Sequence, residues 1–153
     1  MNVGKLLKLS LLFLSRPLYI IPTINATKKT LLICDALYKG SHHRNNKANA
    51  FRHALWNLLI CQNVMKFAKN KQKSVFWAQK VSDLYEKVTQ NELLNEEMDI
   101  HNNTIGRIFF LNNMEQNDDE MIHLLQQMSQ NAQKTSTIEE IECHQNMLVY
   151  LKK

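Results

Sequence analysis

The stretch KANAFRHALWNLLI, from Lys47 to Ile60, decides the fold prediction for this chain. Apolar residues occupy nearly every side of a helix written through it, and a helix of that kind usually lies at the centre of a bundle. Asn49, His53 and Asn57 interrupt the pattern at spacings of four, which puts them on one helical face. Because buried polar groups need hydrogen-bond partners, this polar file predicts a matching file on a neighbouring helix.

A second polar file occurs in MDIHNNTIGR, residues 98–107. Asp99, Asn102, Asn103 and Gly106 share one helical face by their spacing. Glycine inside a helix costs about 1 kcal/mol relative to alanine, so Gly106 predicts close approach of a neighbouring helix or ligand. Glu86, on the helix predicted between the two files, is a third contributor.

The rest of the chain also favours helix. Only three glycines and two prolines occur in 153 residues, and Leu, Lys, Gln, Met and Glu are abundant. The apolar periodicity predicts helices over residues 25–39, 47–70, 74–90, 95–112, from 117 or 118, and over 136–153. The prediction is an all-α compact bundle of five or six helices. Residues 25–153 are expected to form a single helical domain, preceded by an amphipathic arm or helix over residues 1–24.

The charge is unevenly distributed. Residues 1–60 carry nine Lys and Arg and one acid, whereas residues 61–153 carry ten bases and thirteen acids, for a net formal charge of +5. The basic front half indicates either an anionic membrane surface as partner or a solvated positive face. Nucleic acid is disfavoured, because the bases are not interleaved with aromatic residues.

Cysteine usage and the first residues bear on location. Cys34, Cys61 and Cys143 show no paired spacing, which indicates buried thiols in a reducing compartment. The apolar run over residues 9–14 is too short to span a bilayer, and no small-residue cleavage pattern follows it. We therefore expect a cytoplasmic protein. Peripheral attachment to a membrane and export without a cleaved signal peptide stay open as alternatives.

The two files permit three interpretations. His53 could titrate near neutral pH as a general base while Asp99 fixes its tautomer. His53, Glu86 and Asp99 could instead hold one divalent metal ion and leave positions open for water. In the third interpretation, the same residues are a hydrogen-bonded network that fixes the register of two helices.

Three segments, NAFRHALWN, DLYEK and MDIHNNTIGR, together resemble an uncharacterised bacterial all-α domain family. Its pattern is Asp-Ala-x-Arg-His-Ala-x-Trp-Asn, then His-Glu, then Met-Asp-x-x-Asn-Asn-x-x-Gly. Members resemble terminal modules of secreted polymorphic toxins and also occur as stand-alone proteins. The chain departs from the pattern at Asn49, where the family has Asp, and at Tyr85, where it has His. The positions that match are Arg52, His53, Trp56, Asn57, Glu86, Met98, Asp99, Asn102, Asn103 and Gly106.

Together, the residues and the resemblance predict a small hydrolase of bacterial toxin or effector type. The predicted catalytic residues are His53, Asp99, Arg52 and Glu86, with Arg52 as an anion or oxyanion stabiliser. The predicted substrate-binding residues are Asn49, Asn57, Asn102 and Asn103. The alternatives are a non-catalytic interaction protein of immunity or regulatory type, with the polar files as structural contacts, and a basic binder of membrane surfaces or nucleic acid. The substrate and any protein partner stay unspecified.

Overall fold

A computed structural model describes residues 3–89 and 92–151 of the chain, and it confirms the all-α compact bundle. The described part contains seven α-helices, which are α1 (Val3–Leu14), α2 (Ile20–Tyr38), α3 (Lys47–Ala68), α4 (Lys71–Thr89), α5 (Leu93–Asn112), α6 (Asp118–Gln130) and α7 (Ile138–Cys143). It also contains two 3₁₀ turns, Pro17–Tyr19 and Ser41–His43, and two short strands, β1 (Gln133–Thr135) and β2 (Val149–Leu151).

Helix α3 is the central element, as its all-round apolar pattern predicted. It packs against α2, α4, α5 and α6, and its large side chains Phe51, Leu55 and Leu58 are fully buried. The helix begins where expected, because the Asn46 side chain accepts a hydrogen bond from the backbone N–H of Asn49 at 3.0 Å. The apolar contacts on all sides hold α3 in place and fix the direction of its polar file.

The contact between α3 and α5 depends on Gly106. A Cβ atom at this position would lie 2.7 Å from the Cα of Ala54 and closer still to its carbonyl oxygen. Backbone atoms cannot move aside as a flexible side chain can, so the two helices approach this closely only because residue 106 is glycine. The prediction from the sequence is confirmed, and the close approach brings the two polar files together.

The amino-terminal segment is helical and packed. Trp77 of α4 makes edge-to-face contacts with Phe13 of α1, at 5.9 Å between ring centroids, and with Tyr19, at 5.4 Å. The boundary predicted between residues 24 and 25 falls inside α2, which is continuous from Ile20. Among the helices described, none is both long and apolar enough to cross a membrane.

Two expectations about element detail are wrong. The apolar spacing of residues 74–90 predicts Phe76 and Tyr85 on the inner side of α4, but they are 57% and 43% exposed, and Trp77 is buried instead. The helix predicted over residues 136–153 is also shorter, since α7 ends at Cys143. The spacing of Ser136 and Glu139 predicts a capping box, but Thr137 caps the helix. Both polar groups of the Asn102 side chain bond the backbone of Val149 at 2.9 Å, which favours an extended segment that pairs in parallel with β1.

Candidate active site

The centre of the site is a buried imidazole with a carboxylate beside each ring nitrogen. Nδ1 of His53, on α3, lies 3.2 Å from Oε1 of Glu86, on α4. Nε2 lies 3.3 Å from Oδ1 of Asp99, on α5. The three side chains are at most 4% exposed. The structure therefore brings together one residue from each polar file and Glu86, the third contributor predicted on the helix between them.

Arg52 and Asn49 complete this group on the side of α3. The Arg52 guanidinium lies 2.7 Å from Nε2 of His53. With its nitrogen turned toward Asp99, the Asn49 carboxamide donates to Oδ1 at 3.2 Å and accepts from Arg52 at 3.0 Å. A guanidinium only donates hydrogen bonds, so its contact with Nε2 assigns the lone pair to that nitrogen and the proton of the neutral ring to Nδ1, facing Glu86. We call Asn49, Arg52, His53 and Asp99 the cleft end of the α3–α5 contact.

One turn further along α3, a second group is fully hydrogen-bonded. Asn57 donates to Asn103 at 2.8 Å, and its oxygen accepts from Arg107 at 2.8 Å and from Ser82 at 3.2 Å. Burial lowers the pKa of Arg107, and the negative charge of the nearby Asp83 acts in the opposite direction. Arginine nevertheless stays charged at any physiological pH. We call Asn57, Ser82, Asn103 and Arg107 the closed end.

Glu86 joins the two ends. Its Oε1 accepts from Asn103 at 3.0 Å and faces Nδ1 of His53. Its Oε2 is buried, and within residues 3–89 and 92–151 it has no hydrogen-bond partner. Buried carboxylate oxygens are almost always hydrogen-bonded, so this atom is an anomaly at the site.

The predicted substrate-binding residues therefore separate into three groups. Asn49 lies beside Arg52 and Asp99 at the cleft end, whereas Asn57 and Asn103 belong to the closed end. The structure does not bring Asn102 to the site, because its whole carboxamide bonds the backbone of Val149. No contact described here gives Asn102 a role in binding substrate.

A cleft of about 150 Å³ reaches the centre from the surface. Arg52 and His53 line its inner end, and Trp56 and Tyr85, with ring centroids 5.3 Å apart, form one wall. The residues that form the α2 side of the cleft are Thr27, Thr30 and Leu31. The volume suits one small functional group rather than a whole drug-sized ligand.

A metal ion fits this centre only with rearrangement. One ligand atom from each of His53, Glu86 and Asp99 lies within 4.8 Å of the others, as a shared ion requires. However, the Arg52 guanidinium already lies beside Nε2 of His53, and it also contacts Asn49, the neighbour of Asp99. The other ring nitrogen, Nδ1, faces the carboxylate of Glu86. The arrangement thus already places the Arg52 cation where a metal ion would bind through Nε2.

A second group of possible ligands lies nearby, at the end of α2. The polar stretch SHHRNNK, residues 41–47, predicts a loop with solvated histidines at positions 42 and 43. This is wrong for His42, which is fully buried and whose Nε2 lies 3.6 Å from Oδ1 of Asp35. Burial, together with the neighbouring His43 and Arg52, lowers the pKa of His42. His43 contacts Arg52 at 3.3 Å, so the same guanidinium touches both histidine groups.

The buried cysteines take no part in the site. Cys34 and Cys61 are fully buried, and burial raises the pKa of each thiol to about 12. Thiols of that kind do not form thiolates near neutral pH and behave as small apolar side chains. The prediction of buried thiols agrees with these surroundings for Cys34 and Cys61 but is wrong for Cys143, which is exposed.

Sequence reasoning missed several residues around the site. Arg107 could have been found, because it lies four residues after Asn103 on the same face and precedes an apolar run. Ser82 and Thr30 gave no signal, since serine and threonine are common on any helix surface. The partners of Ser82, which are Asn57 of α3 and Arg107 of α5, become visible only when three helices are brought together. Thr30 bonds within its own helix, to the carbonyl of Ala26, and its place in the cleft depends on how α2 packs.

These features define the protein as an all-α domain with a buried histidine–carboxylate centre at the base of a small cleft. The chain belongs to the family described as Domain of unknown function (DUF6973), whose model matches residues 10–133 and so includes α2 to α6 and the whole site. No curated protein and no solved structure matches the chain.

Proposed function

We propose that this protein is a small hydrolase of bacterial toxin or effector type, in which His53 is the general base. One observation carries the proposal: a buried imidazole with carboxylates at both nitrogens lies at the inner end of a cleft. An isolated structural histidine needs one partner for each ring nitrogen, and it needs no route to the surface.

The arrangement suits proton transfer from water. The Glu86 carboxylate lies 3.2 Å from Nδ1 and favours a proton on that nitrogen. This leaves the Nε2 lone pair to take a proton from a water that attacks a bound ester or amide. Asp99 lies 3.3 Å from Nε2 and stabilises the imidazolium that forms. The same proton is then given to the leaving group, so the ring returns to its neutral form.

Arg52 has a second part in this proposal. In the structure it donates to Nε2, and it also lines the cleft. A substrate with negative charge, or the oxyanion that forms on a carbonyl, attracts the guanidinium away from the ring. Release of Nε2 would then accompany substrate binding, and the base would be free only when substrate is present.

The second candidate is a non-catalytic interaction protein of immunity or regulatory type. The closed end favours it, because there every polar side chain among Asn57, Ser82 and Arg107 is hydrogen-bonded between helices. A network of that kind fixes helix register without any chemistry.

The test combines growth and hydrolysis. The intact protein and His53→Gln are expressed in a bacterial host, purified, and assayed on chromogenic carboxylic esters, amides and phosphodiesters, with exposed His123→Gln as the matched control. We expect toxicity and hydrolysis of one substrate class, both lost in His53→Gln and kept in His123→Gln. If the intact protein neither slows growth nor hydrolyses any class, or if His53→Gln stays fully active, the hydrolase proposal is wrong.

A further inference from the structure

One side of the molecule exposes an unusual amount of apolar side chain. Leu14 is 70% exposed, Leu18 is 75% exposed, and Leu7 and Leu11 precede them on one face of α1 at spacings of four and three. Single exposed leucines are ordinary, but a continuous row of them on a globular domain marks an interaction surface.

The row continues along α2. Ile21 and Leu32 are 68% and 71% exposed, and a spacing of eleven residues puts them on the same helical face, with Ile24 between them. Ile21 also lines a shallow groove with Lys66 and Phe67 from the end of α3, and Phe67 is 59% exposed. We call these residues the apolar row; its members are Leu7, Leu11, Leu14, Leu18, Ile21, Ile24, Leu32 and Phe67.

The two segments that carry the row are basic. Residues 1–34 contain five Lys and Arg, residues 61–82 contain five more, and neither segment contains an acid. These segments meet in space: Arg16 of the first lines a groove with Lys73 and Lys80 of the second. Lys66 is exposed beside Phe67. A carboxylate from elsewhere in the chain pairs with one of these cations, since Asp118 of α6 lies 3.5 Å from Lys29, and positive charge predominates beside the apolar row.

We propose that this face docks on the surface of an anionic lipid bilayer, with the apolar row in the boundary between headgroups and acyl chains. Leucine and isoleucine side chains gain by leaving water, and lysines at the border contact lipid phosphates. A second copy of the chain fits worse, because a symmetric contact would bring two positively charged faces together. The depth is limited to the interface, since α1 has only twelve residues.

Docking in this way would also orient the cleft. Leu31 lines the cleft and the adjacent Leu32 belongs to the apolar row, so α2 presents the two features on neighbouring sides. The cleft would therefore open beside the lipid surface. This proposal does not depend on the hydrolase proposal, because it concerns binding and uses none of the residues of the catalytic centre.

The experiment is co-sedimentation of the full chain with vesicles of phosphatidylcholine alone and of phosphatidylcholine mixed with phosphatidylglycerol, at low and high salt. We expect binding to the anionic vesicles only, weakened by salt. Leu18→Ser with Ile21→Ser should abolish binding, and Lys66→Gln or Lys73→Gln should each weaken it by about fivefold, as expected for one cation near an anionic surface.

Two matched controls keep the result specific. Leu93→Ser removes an equally exposed leucine from α5, and Lys87→Gln removes an exposed lysine from α4 outside the basic segments. Both should bind as the parent does, and circular dichroism should show that every variant is folded. The proposal is overturned if anionic vesicles do not sediment the parent. It is equally overturned if Lys87→Gln weakens binding as much as Lys66→Gln does. It is also overturned if the Leu18/Ile21 double variant binds vesicles normally, or if the only property that this variant loses is a concentration-dependent dimer of the parent seen by light scattering.

Discussion

The cleft end and the closed end share helices α3 and α5 and the same spacing rule, and Ser82 of α4 joins the closed end. The two ends nevertheless differ in how their polar atoms are used. At the closed end, Asn57, Ser82 and Arg107 match donors to acceptors without solvent. At the cleft end, His53 has a carboxylate on each side, and a path leads from it to the surface. The difference shows that a buried polar file becomes a candidate site where it holds more charged groups than are needed to pair the helices.

The comparison also separates stability from chemistry. Arg107 is almost fully buried and is held by neutral oxygens, so removing it leaves acceptors unpaired inside the protein. Asp99 faces the imidazole of His53 and the carboxamide of Asn49 beside a cleft, where a neutral replacement can still accept and donate. The two ends should therefore respond in opposite ways to substitution.

The largest expected effect is on activity at the cleft end. Asp99→Asn keeps the shape of the side chain but removes the charge beside Nε2, and the rate of hydrolysis should fall by about 10²–10⁴-fold, the usual contribution of acid–base groups. Steady-state rates on the active substrate class, with exposed Asp119→Asn as control, measure this. A variant with the parent rate and a markedly lower denaturation midpoint would show instead that Asp99 is structural.

The next effect is on stability at the closed end. Arg107→Met should lower the free energy of unfolding by about 3 kcal/mol, because it leaves the oxygen of Asn57 and the hydroxyl of Ser82 without their charged donor. Urea denaturation of the variant and of exposed Arg44→Met measures the difference. Equal midpoints for the two variants would mean that the closed end does not stabilise the fold.

A third effect concerns the spacing that both ends share. Gly106→Ala should lower the free energy of unfolding by about 2 kcal/mol, because the new methyl group meets the backbone of Ala54. The matched change Gly4→Ala adds a methyl group in open space on α1 and should raise stability slightly through helix propensity. Thermal unfolding of both variants tests the contrast, which would be refuted by a stabilised Gly106→Ala.

The smallest expected effect is a pH dependence beside the cleft end. The pKa of His42 is lowered in the folded state, so the unfolded chain binds a proton more readily and protonation favours unfolding. The contribution of neutral His42 to the stability of the folded state is therefore present above the ordinary histidine pKa of about 6.5, and it is lost as the pH falls below that value. His101, whose pKa burial also lowers, adds in the same direction. Urea midpoints measured from neutral to mildly acidic pH should fall less steeply for His42→Gln than for the parent or His123→Gln, and identical slopes would contradict the assignment.

Part of the site followed from spacing. His53 and Asp99 were predicted to meet because they belong to polar files on two apolar helices, and Glu86 was named as a third contributor from the helix between them. In the structure, one nitrogen of His53 lies 3.2 Å from Glu86 and the other lies 3.3 Å from Asp99. The role of Arg52 as a link between His43 and His53 could not be predicted. It depends on side-chain directions across a loop and a helix.

The carboxyl-terminal segment shows where local pattern fails. The apolar periodicity over residues 136–153 predicted one helix, but α7 has only six residues and is followed by β2. Val149 and its neighbours are extended because Asn102 binds their backbone and β1 supplies a parallel partner. Both partners lie far away in sequence, so no local window contains the information.

By itself, the sequence determined the helical class, the central position of α3, its start at Lys47 and the two polar files, because each depends on residues within a few turns of one another. Only the tertiary structure decided that Asn46 caps α3, that Gly106 lies against Ala54 of α3, and which polar residues are enclosed and which reach a cleft. These features arise from distances between helices, which no single segment specifies.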